Sequence, residues 1–176
     1  DDPTISAILV EPIQGEGGIN IPAISYLQNL RALCDAQGWL LMLDEIQTGI
    51  GRTGTWFAHQ HAQITPDAMA LAKGLGSGVA VGACVAKGAA AELFTPGSHG
   101  STFGGNPLCT KTAVEVLNIL EEKYKAKKIQ NTICIFQKEL EKILKKNKKL
   151  FSSKTGVGLM LGLKLKEERK LQVLIE

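Results

Sequence analysis

Residues 39–54, WLLMLDEIQTGIGRTG, decide the fold. Trp39 to Leu43 form an unbroken apolar run, too short for a helix and suited to a strand buried on both faces. Two acids, Asp44 and Glu45, follow at once. Upstream, Leu27, Leu30, Leu33 and Cys34 recur at helical spacing within Ile24–Gln37, and Gly38 is placed to stop that helix in a left-handed conformation. Further back, Ile5–Val10 is another buried-strand run, closed by Glu11-Pro12 and the glycine loop Gln14–Gly18. Strand, helix and strand with brief loops make a βαβ unit, with parallel strands and a right-handed crossover. The expected fold class is therefore α/β with a mostly parallel sheet.

Downstream, Ala68–Ala72 follows Pro66-Asp67 as a third strand run and stops at Lys73. A fourth, Gly82–Ala86, follows the loop Gly74–Gly78, and a short helix is expected near Lys87–Phe94. A polar loop from Pro96 to Gly105 leads to Asn106-Pro107, a helix start with Asn as N-cap and Pro in the first turn. The apolar face of that helix is Ala113, Val116, Leu117, Leu120 and Tyr124. A second amphipathic helix aligns Ile129, Ile133, Phe136, Leu140, Ile143 and Leu144. Val157 to Leu165 alternate as one half-buried strand, and the tail from Glu167 reads as helical.

The chain of 176 residues suits one domain, or one domain and a piece of another. Its 44% hydrophobic and 21% charged content exclude a disordered tail, a collagen-like chain and a disulfide-dense miniprotein. No apolar run approaches the roughly 20 residues that span a bilayer, so no membrane partner is expected. Cys34, Cys84, Cys109 and Cys134 form no CxxC pair and read as thiols in a reducing, cytoplasmic setting. His59, His61 and His99 form no HExxH, so no metal is expected. Residues 1–120 hold five basic and ten acidic side chains, and residues 121–176 hold fifteen and seven, which gives the net +3. The late lysines alternate with spaced apolar residues and read as a solvated helix face, not a nucleic-acid surface. The chain begins at Asp1, consistent with a processed product or a fragment.

In open α/β sheets, ligands bind at the carboxyl ends of the strands. Three polar groups fall there: Glu11, Gln14 and Glu16; Asp44-Glu45-Ile46-Gln47; and Lys73. Asp44 reads either as a paired carboxylate or as the cap of the next turn. Lys73 reads either as a desolvated amine, able to form a Schiff base with a carbonyl, or as a lysine that snorkels from a strand end. The hydroxyls and glycines of residues 97–107 read as an anion site before a helix or as an ordinary loop. Gly49 to Gly54 match GxGxxG, but five residues separate them from the strand, which argues against a dinucleotide site.

Four stretches taken together, EPIQGEGG at 11–18, LDEIQTGIGRTG at 43–54, PDAMALAKGLGSG at 66–78 and PGSHGSTFGGNPL at 96–108, resemble the class III (ω-amino) aminotransferases. That family uses pyridoxal 5′-phosphate (PLP) on a type I fold. The resemblance covers residues 5–165, and its wording is most similar to the acetylornithine branch, with ornithine enzymes close behind. It implies that Lys73 holds PLP covalently and shuttles a proton, that Asp44 pairs with the pyridinium nitrogen, and that Gln47 lies near the phenolic oxygen. Glu45 and Ile46 would border the cofactor. Thr102 would contact the cofactor phosphate of a neighbouring subunit in a homodimer, Ser101 would lie next to substrate, and Glu16 would pair with a carboxylate-binding arginine. The implied substrates are an amino acid and a 2-oxo acid, N-acetylornithine and 2-oxoglutarate in arginine biosynthesis. Ornithine or 4-aminobutyrate transamination and a non-catalytic fragment are the alternatives. The resemblance further implies that residues 1–125 are the C-terminal part of a PLP-binding large domain and 126–176 the beginning of a small domain. Thr155 stands where an arginine usually precedes the Gly-Val-Gly equivalent. The phosphate-cupping turn, the ring-stacking aromatic and the carboxylate-binding arginine are expected outside the chain, so the isolated chain is expected to be inactive or nearly so.

Overall fold

The computed structural model describes residues 2 and 4–166. Strand β1 (Ala7–Val10), helix α1 (Ile24–Gln37) and strand β2 (Leu40–Asp44) form the expected unit, and Gly38 ends α1 at φ 69°. Strand β3 (Ala68–Leu71) pairs in parallel with β2, and β4 (Ala83–Ala86) closes the sheet in the order β1-β2-β3-β4. β4 runs antiparallel to β3 and is reached through residues 72–82. Helices α2 (Pro107–Lys125) and α3 (Lys128–Lys146) follow. The Asn106 side chain accepts from the Cys109 N–H at 3.1 Å, as its N-cap position predicts.

Two expectations need correction. β1 lies at the sheet edge with Leu9 64% exposed, so it is not buried on both faces. Residues 157–165 are not one strand. β5 (Phe151–Val157) and β6 (Met160–Leu165) form an antiparallel hairpin that turns at Gly158-Leu159. The alternation from Val157 to Leu165 runs straight through that turn, which is why periodicity alone fuses them. The tail helix expected from Glu167 lies outside the described residues. No described helix is long and apolar enough to cross a membrane.

Two cores hold these elements. Leu41 and Leu43 of β2 are wholly buried against Leu27, Cys34 and Ala62. Arg31 of α1 bridges to Asp67 at 2.6 Å, and the same carboxylate oxygen accepts from the Leu41 N–H at 2.8 Å, which fixes the helix against the sheet. The second core joins Leu71, Ile50, Leu75 and Ala113, so α2 packs beneath the loops that leave β2 and β3.

Glu45, expected at the cofactor, has its carboxylate inside this framework. It is fully buried and accepts from Thr48 Oγ1 (2.6 Å), the Ala58 N–H (2.9 Å), the His59 N–H (2.9 Å) and His59 Nδ1 (3.1 Å). An ionised carboxylate only accepts, so Nδ1 of His59 carries the proton. Burial raises the Glu45 pKa, but the hydrogen bonds from His59, Thr48 and the two backbone N–H groups outweigh it and hold the carboxyl below its ordinary range. The residue pins the loop 46–57 at both ends. Its carboxylate oxygens are taken up by these contacts.

A depressed folded pKa stabilises the fold above the ordinary glutamate value of about 4.3, and that stabilisation is lost as pH falls through the folded value. Urea unfolding of Glu45→Gln should therefore show a loss of about 2–4 kcal/mol at pH 7 and a flatter decline of stability below pH 5 than the parent chain. A variant with the parent's acid slope would contradict this account. At the hairpin turn, Gly158 has φ 62°, and a Cβ there would lie 2.3 Å from the Thr53 carbonyl carbon. Gly158→Ala should cost about 1–3 kcal/mol in the same assay.

Candidate functional site

The carboxyl ends of β2 and β3 carry the chemistry-bearing residues. Asp44 ends β2 and lies opposite Ala70 of β3, and the Glu45 N–H donates to the Ala70 carbonyl at 3.0 Å. Parallel pairing thus sets Asp44 beside the strand that delivers Lys73. Asp44 is half-buried, and its Oδ1 accepts from the Ile46 N–H at 2.9 Å, so it does cap the following turn. Capping occupies one carboxylate oxygen in a single hydrogen bond. Ile46 is also half-buried.

Lys73 opens a 3₁₀ turn, Lys73–Leu75, directly after the extended Ala72. Its φ is 41°, a left-handed conformation that side chains rarely adopt. The turn holds because Leu75 is buried in the second core and Gly74 lies over Ile50. Lys73 itself is exposed. The sequence allows two readings of this residue, a desolvated amine and a snorkelling lysine, and the described residues leave its side chain exposed beside a cavity.

That cavity, of about 320 Å³, is lined by Lys73, Gln47, Arg52, Ile19 and the hairpin residues Leu159 to Leu161. Asp44 does not line it. Gln47 is seated against the glycine loop of residues 14–20, where a Cβ at Gly15 would fall 1.8 Å from Gln47 Oε1. That loop is fixed at both ends. Glu11 Oε2 accepts from the Gly15 N–H at 3.0 Å, and Gln14 and Asn20 exchange backbone hydrogen bonds of 3.1 and 3.2 Å. Glu16 is exposed at its tip. A further tie crosses most of the chain, from Thr155 Oγ1 of β5 to the Ile19 carbonyl at 2.9 Å.

Ser101 and Thr102 lie on the exposed loop that precedes α2 and do not line this cavity. Ser101 Oγ accepts from the Gly104 N–H at 3.0 Å, a local turn contact. Sequence reasoning did not single out Arg52 or the hairpin wall. Arg52 was visible as one of two arginines in the first 120 residues, but it lay inside the discounted GxGxxG match. Among the described residues no group of three or more His, Cys, Asp or Glu could hold a metal ion.

The family described as aminotransferase class-III matches residues 1–175. The acetylornithine aminotransferase of Nitrosomonas europaea is 63% identical over 119 residues, covering 68% of this chain and 30% of that protein. The Corynebacterium efficiens acetylornithine aminotransferase is 46% identical over 165 residues, covering 93% of this chain and 40% of that protein. Among solved structures, the ornithine aminotransferase of Toxoplasma gondii, described with partial occupancy of PLP at its active site, superposes with a TM-score of 0.84 at 38% identity and covers 93% of this chain and 39% of its own. The chain thus spans well under half the length of each of these proteins. A match along almost its whole length, joined to an α/β sheet that sets a lysine and a carboxylate at neighbouring strand ends, shows that the chain belongs to the aminotransferase class-III family.

Proposed function

We propose that the chain is part of a PLP-dependent aminotransferase that moves the δ-amino group of N-acetylornithine to 2-oxoglutarate. One observation carries the reading. The register of β2 and β3 sets Asp44 and Lys73 at adjacent strand ends, and Lys73 shares a cavity with Gln47. A primary amine and an amide in one cavity, with a carboxylate at the neighbouring strand end, are the residue types that a pyridine aldehyde with a basic ring nitrogen and a phenolic oxygen would use. The substrate assignment follows the names of the 63% and 46% identical relatives. Ornithine is the second reading, favoured by the Toxoplasma gondii structure at 38% identity.

When bound, PLP supplies an electron sink for charge that develops at the substrate carbon. Lys73 Nζ would hold the cofactor covalently through its aldehyde carbon with loss of water and, as a free amine, would carry a proton to and from the substrate carbon. Asp44 has one carboxylate oxygen spent on Ile46, and the other would hold a proton on the ring nitrogen. Gln47 orients the phenolic edge, and the backbone of Glu45 and Ile46 places the two side chains. Thr102 serves a second copy's phosphate in a homodimer, with Ser101 beside substrate and Glu16 pairing with an arginine. The exposed loop that carries Ser101 and Thr102, with Phe103 80% exposed, supports this subunit contact. Four free thiols support a cytoplasmic setting. The break at Ala126-Lys127 between α2 and α3 supports a large-domain part at 1–125 and a small-domain part at 126–176.

Incubation with PLP, borohydride reduction and peptide mapping test the reading. The label should sit on Lys73 and disappear in Lys73→Ala. Label scattered over the lysines of residues 123–149, or none at all, would contradict the assignment.

A further inference from the structure

We propose that Lys145, Lys148 and Lys166 form a binding site for a small polyanion, set over an apolar floor of Leu144 and Phe151. These residues and Ser152 line a cavity of about 290 Å³ at the open end of the β5–β6 hairpin, and no carboxylate lines it. It shares no lining residue with the Lys73 cavity. The late lysines, read from the sequence as one solvated face, do not all behave alike. Lys125, Lys142 and Lys154 pair with Glu121, Glu139 and Glu141 at 2.9, 2.6 and 2.6 Å. Lys145, Lys148 and Lys166 have no ion pair among the described residues.

The three lysines come from a helix end, a turn and a strand end, and backbone hydrogen bonds hold those places together. Asn147 closes α3 by donating its N–H and Nδ2 to the Ile143 carbonyl at 3.0 and 2.8 Å. The Asn147 carbonyl accepts from the Leu150 and Phe151 N–H groups at 2.9 and 3.0 Å, and the Lys166 N–H donates to the Leu150 carbonyl at 3.0 Å. Neighbouring strand residues ordinarily point to opposite faces. Here the pairing slips between Phe151 and Ser153, and at this bulge Phe151 and Ser152 line the same cavity. The C-terminus of α3 contributes about half a negative charge. Lys145 and Lys146 of its last turn more than offset that, and Lys148 and Lys166 add charge beyond it. Glu141, whose charge reaches Lys145, is bonded to Lys154. Glu167 and Glu168 follow Lys166 and lie outside the described residues. Ser152 Oγ donates to the Lys164 carbonyl at 3.2 Å, so the attraction rests on the ammonium groups. An ammonium is a compact point charge without a fixed fork, so this lining sorts anions by charge number and not by phosphate or carboxylate geometry. The apolar floor keeps water from one side of the anion, which strengthens each pair. The ligand class is therefore a small anion of three or more charges, the chemistry shared by a polyphosphate and a tricarboxylate.

Inorganic tripolyphosphate and citrate are the probes, titrated calorimetrically into the chain at low salt, where exposed charges are least screened. Both should bind, and acetate, with a single charge, should not. Lys145→Gln, Lys148→Gln and Lys166→Gln should each weaken binding about three- to fivefold, and the triple variant about thirtyfold or more. Lys123→Gln and Lys138→Gln, outside the cavity, should leave the affinity unchanged. Circular dichroism of the variants should match the parent, because the three cavity lysines are exposed. No binding by the parent, unchanged affinity in the triple variant, or acetate bound as tightly as citrate would each overturn the proposal. So would an equal loss in Lys138→Gln, which would mark diffuse surface charge and not a site. Tighter binding of tripolyphosphate supports the site with a polyphosphate as its ligand, and tighter binding of citrate supports it with a polycarboxylate.

Discussion

A carboxylate removed from water must have its oxygens satisfied, or the fold that buries it is lost. Glu45 meets that constraint with four hydrogen bonds drawn from Thr48 and from the backbone and ring of the 58–59 turn. The residues between those anchors include Gln47, Ile50 and Arg52, which all border the Lys73 cavity. The site depends on Glu45 although the Glu45 side chain is not part of it. Released from that buried charge, the loop 46–57 would keep its attachment to β2 and lose the reason to return to the 3₁₀ turn Ala58–Ala62.

The cavity is assembled from four separate stretches: the glycine loop after β1, the loop after β2, the turn after β3 and the tip of the β5–β6 hairpin. Two single hydrogen bonds fasten the hairpin to the first two, from Thr155 to Ile19 and from Leu159 to Arg52. Gly158 allows the close approach, since any side chain there would meet the Thr53 backbone. The hairpin is thus a wall shared by both loops, and a shift at its tip would move Ile19 and Arg52 together.

How much of this was legible in the sequence follows from which physics is local. The ends of α1 and α2 are local: a glycine that accepts positive φ and an asparagine that caps an N–H. The strand-end lysine and Asp44 followed from apolar runs that stop at charges, and the family motifs gave them roles. The fate of Glu45 was not local. Adjacent residues of a strand point to opposite faces, so two neighbouring carboxylates at a strand end can meet opposite surroundings. Which one is buried depends on where residues 58–59 return, and no pattern within 39–54 states that. The hairpin was hidden for a related reason, since its alternation continues across the turn that the pairing of Val157 with Met160 and the close approach of Gly158 to Thr53 create.

Backbone strain shows where the fold has been shaped for something other than stability. The non-glycine residues with positive φ include Ile50, Lys73 and Ser77, which sit on the two loops around the cavity. Such conformations cost about 1–3 kcal/mol each and persist only where the surroundings dictate them. Ile50 is β-branched, the residue type least tolerant of that region. It stays there because its side chain is buried with Leu71, Leu75 and Ala113, so the packing of α2 offsets the local cost. The same core holds the turn on which Lys73 is displayed. A lysine on a strained turn cannot relax away from the cavity without pulling Leu75 from the core. The backbone that carries Lys73 is therefore held by apolar packing on the far side of the loop, while its side chain stays exposed beside the cavity.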